Sequence, residues 1–318
     1  MPTVQQTGSL RRTTFRKFIY FIPIFVVGAM IMGTLSCRTT GSGGSSDSPT
    51  ATATAGTGAL AFVTNFNDGK VSSFTRNTST GVLKRSSQTS AGAKKGPRGV
   101  VAAPSGSFLY VANKSDGNIY EFSVNPNNGV LTPLSPAFVS NGNNSGPDEL
   151  VIDSTGSFLW VTGAGNGTVT TYGINSSTGQ IAQNSKIAGL SSPLGIAVNS
   201  SNSIVYVADN GSGKVFSFSV GASGALSQIG SPVFNLNAPG GTPAFIAIDP
   251  AGTFIYVTDL DAGVLSVLGT NSGTLSFGTL VPSTTTGFTP FGIGYATVNT
   301  VGNFLFTANQ GDASMWSF

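Results

Sequence analysis

Histidine is absent from all 318 residues, cysteine occurs once, and only 8% of the side chains are charged. The first absence excludes a Ser-His-Asp or Cys-His nucleophile, histidine-bound zinc or copper, and haem attached through Cys-x-x-Cys-His. The lone Cys37 can form no disulfide within the chain, so burial has to hold the fold. Soluble domains are ordinarily about a quarter charged; here Ser, Thr, Asn and Gly take over the solvated positions. The formal charge of +3 comes from Arg11, Arg12, Arg16 and Lys17, all near one end. Beyond residue 36 the chain holds 11 basic and 12 acidic residues. That balance gives no basis for a nucleic-acid partner. Helical apolar periodicity is missing from residue 59 onward.

What fills that stretch is a repeat. LAFVTN (60–65), FLYVAN (108–113), FLWVTG (158–163), IVYVAD (204–209), FIYVTD (254–259) and FLFTAN (304–309) are near-copies. Their central aromatics, Phe62, Tyr110, Trp160, Tyr206, Tyr256 and Phe306, are 48, 50, 46, 50 and 50 residues apart. Such a period marks units that bury their faces only against neighbouring copies. Within 97–146, Pro97 opens a short apolar run, PSGS turns it, and FLYVAN follows with both faces apolar. A strand apolar on both faces is sandwiched between two layers. Asp116-Gly117 then signals a tight hairpin, IYEFSV a third strand, and the turn ending at Gly129 a fourth. Four antiparallel strands repeated at this period are the blades of a β-propeller. The expected class is therefore all-β: four-stranded antiparallel blades over 59–318, about six units. The first unit is expected to lack its inner strand and the last its outer one, giving an open or incomplete ring.

The segments Y-V-[AT]-[ND], each preceded by a Pro/Asp/Asn-led turn and followed by G-x-[VI]-x-x-[FY], resemble the YVTN repeats of the lactonase-like propeller family. That family is similar to seven-bladed 6-phosphogluconolactonase, and the likeness spans roughly residues 60–318. It implies a seven-bladed type of ring and, as one alternative, lactone hydrolysis by histidine, arginine and carboxylates near the channel. With no histidine, and Arg98 the last arginine, no such catalytic set can be carried over. The leading expectation is a non-catalytic propeller that binds a protein or glycan through its rim, without cofactor or metal.

The first 36 residues form an expected leader. Four cations precede an apolar run, Phe18 to Met32, and Leu35-Ser36-Cys37 closes it in the manner of a lipoprotein signal. Cys37 is the expected lipidation site. An uncleaved anchor over 18–36 and simple secretion are the alternatives; all three place the domain outside the cytoplasm. Arg38, where aspartate would mark inner-membrane retention, favours the outer membrane of a cell envelope. Residues 37–58, rich in Ser, Thr and Gly, are expected to be a flexible tether with a reach of roughly 25 Å.

Three cations in AKKGPRG, namely Lys94, Lys95 and Arg98, lie on the first loop between blades and form the candidate anion-binding cluster. Asp148 and Glu149 open an inner strand; alternation is expected to point them to opposite faces, which argues against one acid/base pair. Asp259 and Asp261 resemble part of a calcium loop or, more simply, serve a hairpin turn.

Overall fold

The computed structural model describes residues 34–36, 49–54, 60–94, 96–234, 241–260, 264–282, 306–309 and 314–317. The first sheet contains β1 (Thr34–Ser36), β2 (Pro49–Thr54), β3 (Leu60–Asn65), β4 (Lys70–Arg76) and β5 (Leu83–Ser90). The second holds β6 (Pro97–Ala102), β7 (Phe108–Asn113), β8 (Asn118–Val124) and β9 (Leu131–Ser140). In the third are β10 (Pro147–Ile152), β11 (Phe158–Gly163), β12 (Thr168–Ile174) and β13 (Ile181–Ile187). The fourth has β14 (Pro193–Val198), β15 (Ile204–Asp209), β16 (Lys214–Val220) and an outer strand in two pieces, β17 (Leu226–Gln228) and β18 (Val233–Phe234). The fifth comprises β19 (Pro243–Ile248), β20 (Phe254–Asp259), β21 (Val264–Asn271) and β22 (Thr274–Pro282). A final pair, β23 (Phe306–Asn309) and β24 (Ser314–Ser317), continues the series. Every pairing is antiparallel, and all but that of β16 with β18 join successive strands. The result is a propeller of five four-stranded meanders, the first extended by β1.

Two corrections follow. The first sheet does have an inner strand: β2 pairs with β3 from Pro49↔Asn65 to Thr54↔Leu60. Its opening proline stands opposite the last residue of the next strand, as Pro97 stands opposite Asn113 and Pro193 opposite Asp209. Residues 49–54 of the tether read over 37–58 therefore belong to the sheet. PTATAT has no large apolar side chain, yet its threonines are β-branched and suit a strand. Among the described residues, complete units therefore number five rather than four. Pro290 and the inner strand expected after it lie outside the described residues. So do Cys37 and the run 18–32; among the described residues no helix is long and apolar enough to cross a membrane.

Packing between sheets is where the sequence pattern becomes energy. Phe62 and Val71 of the first sheet pack against Val100, Leu109 and Phe122 of the second. Tyr110 and Ile119 of the second meet Leu159, Val161 and Tyr172 of the third. Trp160 and Val169 meet Val205, Val207 and Phe218, and Tyr206 and Val215 meet Ile255, Val257 and Leu268. Each middle strand thus sends alternate residues into two interfaces. Phe62, Tyr110, Trp160 and Tyr206 are all within 1% of full burial, and burying such side chains contributes roughly 1.5–3 kcal/mol apiece. Tyr256 is half-buried, and the side chain of Phe306 lies outside the described residues.

Tyr110, Trp160 and Tyr206 also reach the following sheet with their polar tips. Tyr110 donates to Gly179 O at 2.7 Å and Trp160 Nε1 to Gly224 O at 2.9 Å. The receiving glycines sit at φ +75° and +74°. A Cβ at Gly179 would stand 2.2 Å from the Phe108 ring, so the turn between third and fourth strands has to be glycine on two counts.

Candidate functional site

In several of the repeated YV[AT][ND] segments the last two residues tie neighbouring strands and loops together. Threonine ties down inner strands: Thr64 Oγ1 donates to Arg98 O at 2.7 Å, and Thr162 Oγ1 to Leu194 O at 2.8 Å. The terminal Asn or Asp holds the loop leading into its own sheet. Asn113 Nδ2 donates to Ala91 O and Lys94 O, and Asp209 accepts from the amides of Ser191 and Ser192. Asp259 accepts from Thr242 N and Oγ1. Its carboxylate thus serves the loop before β19; the hairpin role expected of Asp259 and Asp261 involves residues 261–263, which lie outside the described residues.

The inner strands do not alternate cleanly. Pro97 opposes Asn113, but Val100 opposes Val111, so Arg98 and Gly99 together face one residue of β7. The same slip places Asp148 and Glu149 opposite Thr162, Leu194 and Gly195 opposite Ala208, and Ala244 and Phe245 opposite Thr258. Such β-bulges redirect side chains. This is why Asp148 and Glu149 interact although they are adjacent on a strand, contrary to the sequence expectation. Inner strands of successive sheets lie side by side, β2 by β6, β6 by β10, β10 by β14 and β14 by β19.

The first two of these bulges, in the second and third sheets, hold the ionic cluster of the described residues. Arg98 binds Asp148 Oδ1 through Nη2 at 2.9 Å and Nε at 3.2 Å. Lys114, from the turn after β7, binds Asp148 Oδ2 at 2.6 Å. Asp148 is buried, whereas the Arg98 and Lys114 side chains remain 16% and 36% exposed. Burial alone would raise the Asp148 carboxyl; the two cations outweigh it and hold the group below its ordinary value. Glu149 feels the opposite balance. Burial, then the Asp148 charge beside it, pushes its carboxyl up to about 8. Gly99 makes room for it, since a Cβ there would stand 2.8 Å from Asp148 O and 3.1 Å from Glu149 Oε1.

Of the three cations picked from sequence, Arg98 lies in this cluster. Lys94 is exposed on the loop before it, and Lys95 and the lipidation candidate Cys37 lie outside the described residues. Lys114, Glu149 and, between the sheets, Glu121 were not selected as site residues. One signal was available: Glu121 and Glu149 are the only glutamates in the chain, and both are buried.

The family model for lactonases of the seven-bladed β-propeller type matches residues 33–145, 58–198 and 155–287. Curated proteins yield no match. Among solved structures, a periplasmic gluconolactonase of Pseudomonas aeruginosa aligns with a TM-score of 0.65 at 18% identity, over 75% of this chain and 78% of the other. A Bacteroides fragilis protein described as a candidate 6-phosphogluconolactonase aligns with a TM-score of 0.61 at 18% identity, over 73% and 77%. A Lactobacillus plantarum protein gives 0.64 at 16% identity, over 76% and 81%. At these identities the structural likenesses speak for the fold alone. Together, the family-model matches span residues 33–287, and on that extent the chain belongs to the lactonase family of seven-bladed β-propellers.

Proposed function

We propose that the chain hydrolyses a small sugar lactone at the paired bulges of its second and third inner strands. One observation carries the reading: two adjacent carboxyls are driven apart in proton affinity, Asp148 downward and Glu149 to about 8. Such a split is the usual basis for dividing acid and base roles. At neutral pH Asp148 is ionised and clamped, while Glu149 keeps its proton. Arg98 and Lys114 retain exposed N–H donors for the carbonyl oxygen of a lactone. As water attacks the carbonyl carbon, Glu149 delivers its proton to the departing ring oxygen and regains one from the water, leaving a hydroxy acid. Family membership and the similarity to a gluconolactonase support the substrate class.

The test is the hydrolysis of gluconolactone followed by pH-stat. Activity should fall as pH rises through about 8, where Glu149 loses its proton, and Glu149→Gln should remove most of it. Turnover no faster than buffer contradicts the proposal.

A second reading, binding without turnover, is favoured by the lack of histidine and by the engagement of both cations with Asp148. Its partner would be a protein or glycan held at the rim around Lys94, Lys95 and Arg98. Ligand retention with no hydrolysis would select it.

For location, we propose an acylated Cys37 anchoring the propeller at the cell envelope, on the outer membrane. The leader pattern of residues 11–37 supports this. Cys37→Ala should release the protein from the membrane fraction; continued retention would contradict acylation at that residue.

A further inference from the structure

We propose that Glu121 is a proton-operated latch between the second and third sheets, closed when its carboxyl is neutral and strained when it is ionised. Glu121 lies on β8 directly opposite Tyr110. The equivalent residues opposite Phe62, Trp160, Tyr206 and Tyr256 are Ser73, Thr171, Ser217 and Val267. Among the described residues only the second sheet places an acid at this position, which faces the next sheet.

Glu121 is 0% exposed. Its Oε2 accepts from Ile181 N, the first residue of β13 in the third sheet, at 3.2 Å. Its Oε1 has no partner. The titratable groups facing it are two phenols, Tyr110 from β7 and Tyr172 from β12. Neither phenol donates to it: Tyr110 donates to Gly179 O, and Tyr172 to Asn141 Oδ1. Neither ion pair of the described residues includes it. An anion here would therefore rest on one backbone amide inside an apolar cluster, a costly arrangement.

Burial accordingly pushes the carboxyl up to about 7, against the weaker opposing pull of the Ile181 amide. The folded protein then holds a proton that the unfolded chain gives up at the ordinary carboxylate pH. Stability from this group is complete in mild acid and declines as pH rises toward 7, with the full loss above it. The same pair of sheets carries the Arg98–Asp148–Lys114 clamp at its inner end. Proton release at Glu121 thus loosens the interface that positions the candidate site. The inference does not depend on lactone hydrolysis, because its test reads stability and not turnover.

The experiment is thermal unfolding of the full chain and of Glu121→Gln from pH 4.5 to 9. Relative to the variant, the wild-type melting temperature should drop between pH 5 and 7 and stay low above that. Curves that run parallel over the whole range overturn the latch. Should Glu121→Gln fail to fold, Glu121→Thr restores the residue type of the third sheet and should show the same loss of pH dependence. Amide exchange at Ile181 gives the local readout: corrected protection should weaken above pH 7 in the wild type alone. Equal protection in both proteins overturns it.

Discussion

The interface between the second and third sheets and that between the fourth and fifth share one plan, yet they are filled differently. Between the fourth and fifth, Tyr206, Ala208 and Val215 meet Ile246, Ile255, Val257 and Leu268, and Tyr206 shares a 2.5 Å hydrogen bond with Thr270. The second and third sheets add to a similar apolar cluster both glutamates of the chain, the ion pairs of Asp148, and bonds from Tyr172 to Asn141 and from Gln180 to Ser135. Even the close approaches differ in use. Gly99 and Gly195 both let an inner strand run against the backbone of the next one, at Asp148 O and Ala244 O, but only Gly99 also has a carboxyl oxygen, Glu149 Oε1, within close reach. An apolar cluster with a tyrosine hydrogen bond across it thus joins the fourth and fifth sheets, with no charged side chain among these contacts. Polar groups that cost free energy to bury therefore point to a role beyond cohesion.

The comparison can be broken most forcefully at its apolar end. Tyr206→Ala should cost about 4 kcal/mol in urea unfolding, by cavity formation, with little change between pH 5.5 and 8.5. A strongly pH-dependent loss there would erase the contrast. At the polar interface, Asp148→Asn leaves Arg98 and Lys114 without their carboxylate and should cost about 3 kcal/mol at pH 7. Because the Asp148 carboxyl is held below its ordinary value, the contribution of the pair is present above pH ~4 and is lost as pH falls further. Wild type and variant should therefore converge in strong acid. Two glycine substitutions sharpen the packing side. Gly179→Ala drives a Cβ into the Phe108 ring and should cost about 2 kcal/mol, while at Gly273 the obstruction is the mobile tip of Ile229 and the cost should be smaller. The smallest expected effect is Tyr110→Phe, about 1 kcal/mol, from leaving Gly179 O unpaired. A loss near zero would mean that the tyrosine tip adds nothing to the ring it carries.

The sheets were legible in the sequence because period, turn glycines and two-faced apolar strands agree with one another. FLYVAN predicts burial on both sides, and Tyr110 and Leu109 are indeed buried in different interfaces. PTATAT was missed because its composition resembles a linker and lacks the apolar run that marks the other inner strands. The site was less legible for two reasons. Alternation predicts opposite faces for Asp148 and Glu149, but a bulge cancels alternation. Arg98 and Asp148 stand 50 residues apart, one repeat, so equal places in successive copies become neighbours in space. That correspondence is visible in the sequence once the copies are aligned. The isolation of Glu121 and the missing partner of its Oε1 depend on packing and could not be read from the chain.

The most direct test of the account is a carbon-13 titration of the full chain labelled at its glutamate carboxyls, which number only two. Midpoints near 7 for Glu121 and near 8 for Glu149 are expected. Two midpoints close to 4.5, the ordinary glutamate value, would contradict both the buried latch and the proton-carrying site.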